Sequence, residues 1–127
     1  MLARIYQGAR DNLMSERIAI IGAGIIGARH ARLAAAEPEC QLVGLADPAP
    51  AAAELARELG VPHYTEPEAL LEKERPEGAV IAVPNDLHLP IGKMCAERGI
   101  HLLVEKPVAE SVAAGRQLVG AAEAAGV

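Results

Sequence analysis

From Arg17 onward, short unbroken apolar runs alternate with longer stretches whose apolar positions recur at helical spacing. Arg17–Ile21 (RIAII), closed by Gly22, is too short for a helix and apolar on both faces, which predicts a buried strand. Ile25–Glu37 is Ala-rich and predicts a helix that Pro38 cannot continue. Gln41–Ala46 predicts a second strand ending at Asp47-Pro48, and Ala51–Leu59 a helix stopped by Gly60. His63–Tyr64 reads as a minimal third strand, Pro67–Lys73 as a short helix, and Ala79–Val83 as a strand broken by Pro84-Asn85. Leu89–Arg98 predicts a helix ended by Gly99, His101–Val104 a fifth strand, and Ser111–Ala125 a last helix with Ser111 as N-cap.

Strands apolar on both faces, each followed by a helix, predict a parallel sheet with helices on both sides. Right-handed crossovers make this a doubly wound α/β sheet of the Rossmann type, with strand order 3-2-1-4-5. One domain is expected over residues 17–127. Residues 1–16 read as an extension, with Met14 as the expected native start and residues 1–13 as an upstream addition. A complete fold of this type continues into a sixth strand, so the sequence reads as ending before that strand and before any second domain. An apolar edge on strand five is then open to self-association, and a homo-oligomer is expected.

Composition narrows the picture. Hydrophobic residues make up 51% of 127, enough for one packed core, yet Phe and Trp are absent and only Tyr6 and Tyr64 are aromatic. Such a core is built from Val, Ile, Leu and Ala, which suits helices lying close on a sheet. The net charge of -5 excludes a basic nucleic-acid surface. It leaves room for a phosphate ligand, because helix N-termini bind anions locally. Cys40 and Cys95 form no metal or disulfide pattern, so no metal is expected and a reducing cytoplasm is. No secretory signal or membrane-length apolar run is present in the sequence.

Four segments carry candidate chemistry. Gly22-Ala23-Gly24-Ile25-Ile26-Gly27 is GxGxxG between a strand and a helix. Gly22 permits the turn, Gly24 clears a pyrophosphate, Gly27 lets helix and strand close up, and the N–H groups from Ile25 and Ile26 onward face the phosphates. Glycines that merely permit packing are the alternative, outweighed by the strand before them, the helix after them and the acid ending strand two. Asp47, ending strand two, can accept from both ribose hydroxyls and would repel a 2′-phosphate, favouring NAD over NADP; alternatively it only opens a turn with Pro48. Pro84-Asn85-Asp86-Leu87-His88 leaves strand four on the same sheet edge, where Asn85 or Asp86 could equally cap a helix and His88 could equally be structural. Glu105-Lys106-Pro107 follows strand five. A Lys there can hold a substrate hydroxyl, although on physics alone a surface ion pair in a turn is the stronger account.

IAIIGAGIIGARHA, LADP, VPNDLH and VEKPVA, in this order and spacing, resemble the N-terminal half of the glucose–fructose oxidoreductase and inositol dehydrogenase (Gfo/Idh/MocA) family. The resemblance runs from about Arg17 to Val127. It implies a Rossmann domain followed by a larger α/β domain, and reversible hydride transfer between a sugar or polyol carbon and NAD or NADP. By that pattern Gly22, Gly24 and Gly27 match the pyrophosphate turn and Asp47 the ribose ligand. Pro84, Asn85 and His88 match the loop beside the nicotinamide ribose, with Glu105 beside the cofactor. Lys106 matches the lysine that contacts substrate and cofactor, across a Lys106–Pro107 bond implied to be cis. Val83 departs from the pattern, standing where many members have Thr or Ser. The family's proton-relaying Asp and His lie in the second domain and have no counterpart here.

The expected function is therefore the NAD-binding domain of a sugar or polyol dehydrogenase, inactive by itself, with no nucleic-acid or membrane partner. A non-catalytic NAD(H)-binding sensor or assembly module is the alternative. A methyltransferase fits less well, because the full glycine spacing and the Glu-Lys-Pro turn both count against it.

Overall fold

A computed structural model describes residues 15–127, so the expectations for residues 1–13 and for Met14 lie outside the described residues. Five parallel strands form one sheet: β1 (Glu16–Ile21), β2 (Cys40–Ala46), β3 (His63–Tyr64), β4 (Gly78–Ile81) and β5 (His101–Val104). They lie in the order β3-β2-β1-β4-β5, the doubly wound arrangement expected from the alternating pattern. Helices α1 (Ile25–Ala36), α2 (Pro50–Leu59), α3 (Pro67–Glu74), α4 (His88–Ala96) and α5 (Val112–Ala125) connect and follow them. No helix among the described residues is long and apolar enough to cross a membrane.

The register explains which residues become core. Ile18, Ala19, Ile20 and Ile21 of β1 pair with Gly78, Ala79, Val80 and Ile81 of β4, so alternate side chains reach opposite faces. On one face Ala19, Ile21, Ala79 and Ile81 pack with Leu70 and Leu71 of α3 and Ile91 and Cys95 of α4. On the other, Ile20 and Val80 pack with Ala31 of α1 and Leu55 and Ala56 of α2. Small side chains on the helices keep both layers thin. Gly92 of α4 lies so near Leu118 of α5 that an added Cβ would press on the leucine methyls.

Three element boundaries are corrected. β4 ends at Ile81, two residues short of Val83, and α4 ends at Ala96 rather than Arg98. The helix that opens the last crossover starts earlier than expected: Asn85–Leu87 form a 3₁₀ turn running into His88. The sheet is also not fully covered. Leu102 and Val104 pack under α4, but His101 and Leu103 on the opposite face are exposed, Leu103 by 57%. α5 lies on α4 instead of crossing to that face. The continuous apolar run HLLV cannot reveal this, because a strand covered on one face and one covered on both read alike when its exposed position is also leucine.

Ser111 caps α5 as expected, its Oγ accepting from the Ala114 amide at 3.1 Å. Leu118 is the buried contact that fastens α5 to α4. Leu118→Ala is expected to cost about 2–4 kcal/mol in urea unfolding, the usual result of deleting a buried leucine. A change below about 0.5 kcal/mol would show that α5 is not docked.

Candidate functional site

The strand-to-helix turn after β1 is shaped by two glycines that nothing else could replace. Gly22 has φ +89, a left-handed conformation, and an added Cβ would sit 2.8 Å from the Val83 nitrogen and nearer still to the Ala82 carbonyl. Gly27, one turn into α1, stacks over it, and a Cβ there would lie 2.7 Å from the Gly22 carbonyl carbon. Gly24 differs from both. Its φ of -70 suits any residue, and nothing lies within 4 Å of an added Cβ.

Gly24 is the N-cap of α1 and, having no side chain, leaves the helix start uncapped. The first turn holds no acidic residue, and the Ala28 amide is bonded back to the Gly24 carbonyl at 2.8 Å. The amides ahead of it, from Ile25 to Gly27, are the unpaired donors every helix start carries, with the positive end of the helix dipole behind them. The side chains of Ile25 and Ile26 stand 92% and 48% exposed beside this turn. A bare helix start between exposed apolar side chains is an anion-binding arrangement.

Asp47 follows β2 and is bound into the same turn. Its Oδ2 accepts from the Ala23 amide at 2.8 Å and its Oδ1 from the Ala49 amide at 2.8 Å. The turn-opening reading from sequence is thus met at Asp47, and the bond to Ala23 was not foreseen. The carboxylate opens the Pro48 turn, and it also reaches across to the glycine loop, keeping lone pairs free for further donors.

Pro84 and Asn85 are exposed after β4. His88 is not. It is 1% exposed, with Nε2 2.9 Å from the Val83 carbonyl and Nδ1 3.2 Å from the Val108 carbonyl, so the structure puts it beneath the surface rather than on it. Glu105 is likewise turned away from the open edge. Its Oε1 meets His30 Nε2 of α1 at 2.6 Å, and its Oε2 accepts from the Lys106 amide at 3.2 Å. Lys106 itself is exposed, and its bond to Pro107 is cis.

Gly22, Gly24, Asp47 and Pro84 share the wall of one cleft of about 620 Å³ along the C-terminal ends of β1, β2 and β4. Ile25, Ile26, Gly27, Asn85, His88, Glu105 and Lys106 lie outside its lining. The far wall had no counterpart in the sequence reading: Thr65 and Glu66 after β3, with Leu87, Pro90, Ile91 and Met94 of the α4 region. Only the crossover rule signalled them, since everything following a strand in this topology ends at that edge.

The family model described as an oxidoreductase family with an NAD-binding Rossmann fold matches residues 16–127. The chain belongs to this Gfo/Idh/MocA oxidoreductase family. It is 35% identical over 99 residues to the scyllo-inositol 2-dehydrogenase (NAD(+)) of Bacillus subtilis, a match covering 76% of this chain and 29% of that protein. It is 37% identical over 95 residues to a D-xylose 1-dehydrogenase (NADP(+)) of Haloferax volcanii, covering 72% and 29%. The crystal structure of GenD2 from gentamicin A biosynthesis in complex with NAD superposes with a TM-score of 0.85 at 30% identity, covering 91% of this chain and 33% of that one. The chain thus spans about a third of the length of the relatives it matches.

Burial pushes the Cys95 thiol up to about 12, against a smaller opposing pull from Arg98, which leaves it an unreactive core group. Among the described residues no cluster of three or more His, Cys, Asp or Glu is arranged to hold a metal ion.

The His30–Glu105 pair gives a pH prediction. The hydrogen bond from His30 holds the Glu105 carboxyl below its ordinary 4.5, helped by the Lys106 amide and opposed by burial. A carboxylate lowered on folding stabilises the fold above its unfolded value, and that contribution is lost as pH falls through the folded value. Glu105→Gln should therefore melt below the wild type at pH 7, with the gap closing under about pH 4. A gap of equal size at both pH values would remove the pair from the account. The pair is partly exposed, so the effect is small.

Proposed function

We propose that residues 17–127 are the cofactor-binding domain of an NAD-dependent dehydrogenase acting on a sugar or polyol hydroxyl carbon, and that this chain alone binds the cofactor without turnover. One observation carries the reading. The uncapped start of α1 at Gly24 and the Asp47 carboxylate open on the same cleft, joined by the hydrogen bond from the Ala23 amide. A dinucleotide needs an anion site and a hydroxyl acceptor side by side, and here they are adjacent.

The residues present fit such a group. The α1 amides would hold the pyrophosphate, where Gly24 leaves the approach open. Asp47 would accept from the adenosine ribose hydroxyls, and Pro48-Ala49-Pro50 offers no cation for a 2′-phosphate, which supports NAD over NADP. The apolar wall of Leu87, Pro90 and Met94 suits a flat base. When bound, the nicotinamide supplies the two-electron acceptor for alcohol oxidation.

The chain's own contribution to chemistry is Lys106. Its exposed ammonium stands beyond β5 on the same edge, where it would donate to a substrate hydroxyl and ease loss of its proton. Asn85, exposed on the neighbouring turn, would orient the sugar nearest the reacting carbon. The relatives act on inositols and on xylose by name, which supports a polyhydroxylated substrate.

The direct test titrates the chain with NADH, NADPH and S-adenosylmethionine, following thermal stability. Stabilisation of about 2.7 kcal/mol is expected at roughly 100 times Kd for NADH, and less for the other two at equal concentration. Binding of S-adenosylmethionine alone would overturn the reading, as would a failure of all three. Gly24→Ala should leave the melting temperature within a degree or so of wild type while weakening NADH by about tenfold or more. Gly27→Ala should lose both folding stability and binding. In the natural protein assayed on an inositol or pentose, Lys106→Ala should lower kcat by about 10²–10⁴; unchanged turnover would exclude Lys106 from the chemistry.

A further inference from the structure

His88 is the one polar or charged side chain among the described residues that is fully buried, and no surface role explains it. Its two ring nitrogens point at backbone carbonyls of two different segments. Nε2 lies 2.9 Å from the Val83 oxygen, at the head of the turn that carries Asn85. Nδ1 lies 3.2 Å from the Val108 oxygen, just past the cis bond of the turn that carries Lys106. An imidazolium can donate to both carbonyls at once, and a neutral ring to one. Neither turn belongs to a strand at that point, since β4 ends at Ile81 and β5 at Val104. Sheet hydrogen bonds therefore do not set their separation beyond the Glu105 amide, which donates to Ile81 at 3.0 Å.

We propose that His88 is a positioning residue: it ties the Asn85 turn to the Lys106 turn from below and so fixes the gap in which the nicotinamide end of the cofactor and the substrate carbon must sit. The proposal rests on the dinucleotide reading above. It assigns His88 no contact with either ligand. Its effect falls mainly on the β4–β5 end, because the glycine turn, though packed against Ala82 and Val83, has its own bond to Ala46, and Asp47 has its own to Ala23. An adenine-side ligand should not sense the tie.

The test compares NADH with ADP-ribose, which shares the adenosine and pyrophosphate but lacks the nicotinamide. His88→Gln carries an amide nitrogen to about the reach of Nε2, and His88→Asn to that of Nδ1, so each keeps one of the two bonds. Both variants should hold ADP-ribose as the wild type does and bind NADH about fivefold more weakly, the cost of one hydrogen bond. Equal weakening of both ligands would mean a merely structural role and would overturn the proposal, as would unchanged NADH binding. A wild type that binds NADH no more tightly than ADP-ribose would overturn it too.

A measurement on the wild type keeps the proposal testable if the variants unfold. Amide exchange at Asn85, Asp86, Lys106 and Val108 should slow together on adding NADH; with ADP-ribose, whose base can meet Leu87 in the cleft wall, Lys106 and Val108 should stay unchanged. Slowing in one turn alone would refute the tie. A wild type that binds neither ligand would instead refute the dinucleotide reading itself, so the two failures are distinguishable.

Discussion

The contact between Gly22 and Gly27 is the constraint on which the rest of the domain depends. At this point a helix passes so close to the end of a strand that no side chain fits on either residue. The closeness seats α1 on the sheet, and thereby sets where β2 must run to place Asp47 beside the turn. It also aims the helix axis, and so its dipole, at the cleft. A gap of even one methyl group would turn that axis and separate the two halves of the site.

Closeness of this kind recurs through the molecule. Gly92 takes the Leu118 methyls, Gly78 lies against Ile18, and alanines line the inner surfaces of α1 and α2. The absence of Phe and Trp is the same fact seen in composition. Thin layers leave little room for a large side chain, and stability comes from many small contacts rather than a few large ones. The exception is the face of β5 that bears Leu103, where no described helix arrives.

Much of this was legible from the chain. The strand order follows from right-handed crossovers, and the glycine spacing with Asp47 pointed to the edge where the cleft lies. Strand four was misjudged at Val83 because apolar Ala82 and Val83 continue past its last strand residue, and the following helix at Arg98 because Glu97 and Arg98 continue as turns up to Gly99. The partners of His88 and Glu105 were not legible. Both residues sit in segments that resemble ligand-contacting motifs, yet each side chain is spent on a partner distant in sequence: Val108 for His88 and His30 for Glu105. Thr65 and Glu66 could not be singled out, since a two-residue strand leaves no periodicity to read.

The bond from the Ala23 amide to Asp47 has a consequence for how such a domain can change over evolutionary time. On the proposed reading, the carboxylate that would discriminate between cofactors also staples the loop that would grip their shared phosphates. A lineage drifting toward the phosphorylated cofactor cannot simply discard the acid, because the same step loosens the grip common to both. It must first acquire another acceptor for that amide. Cofactor choice and cofactor affinity would thus be inherited as one trait, and intermediates that separate them would pass through a weakened binder.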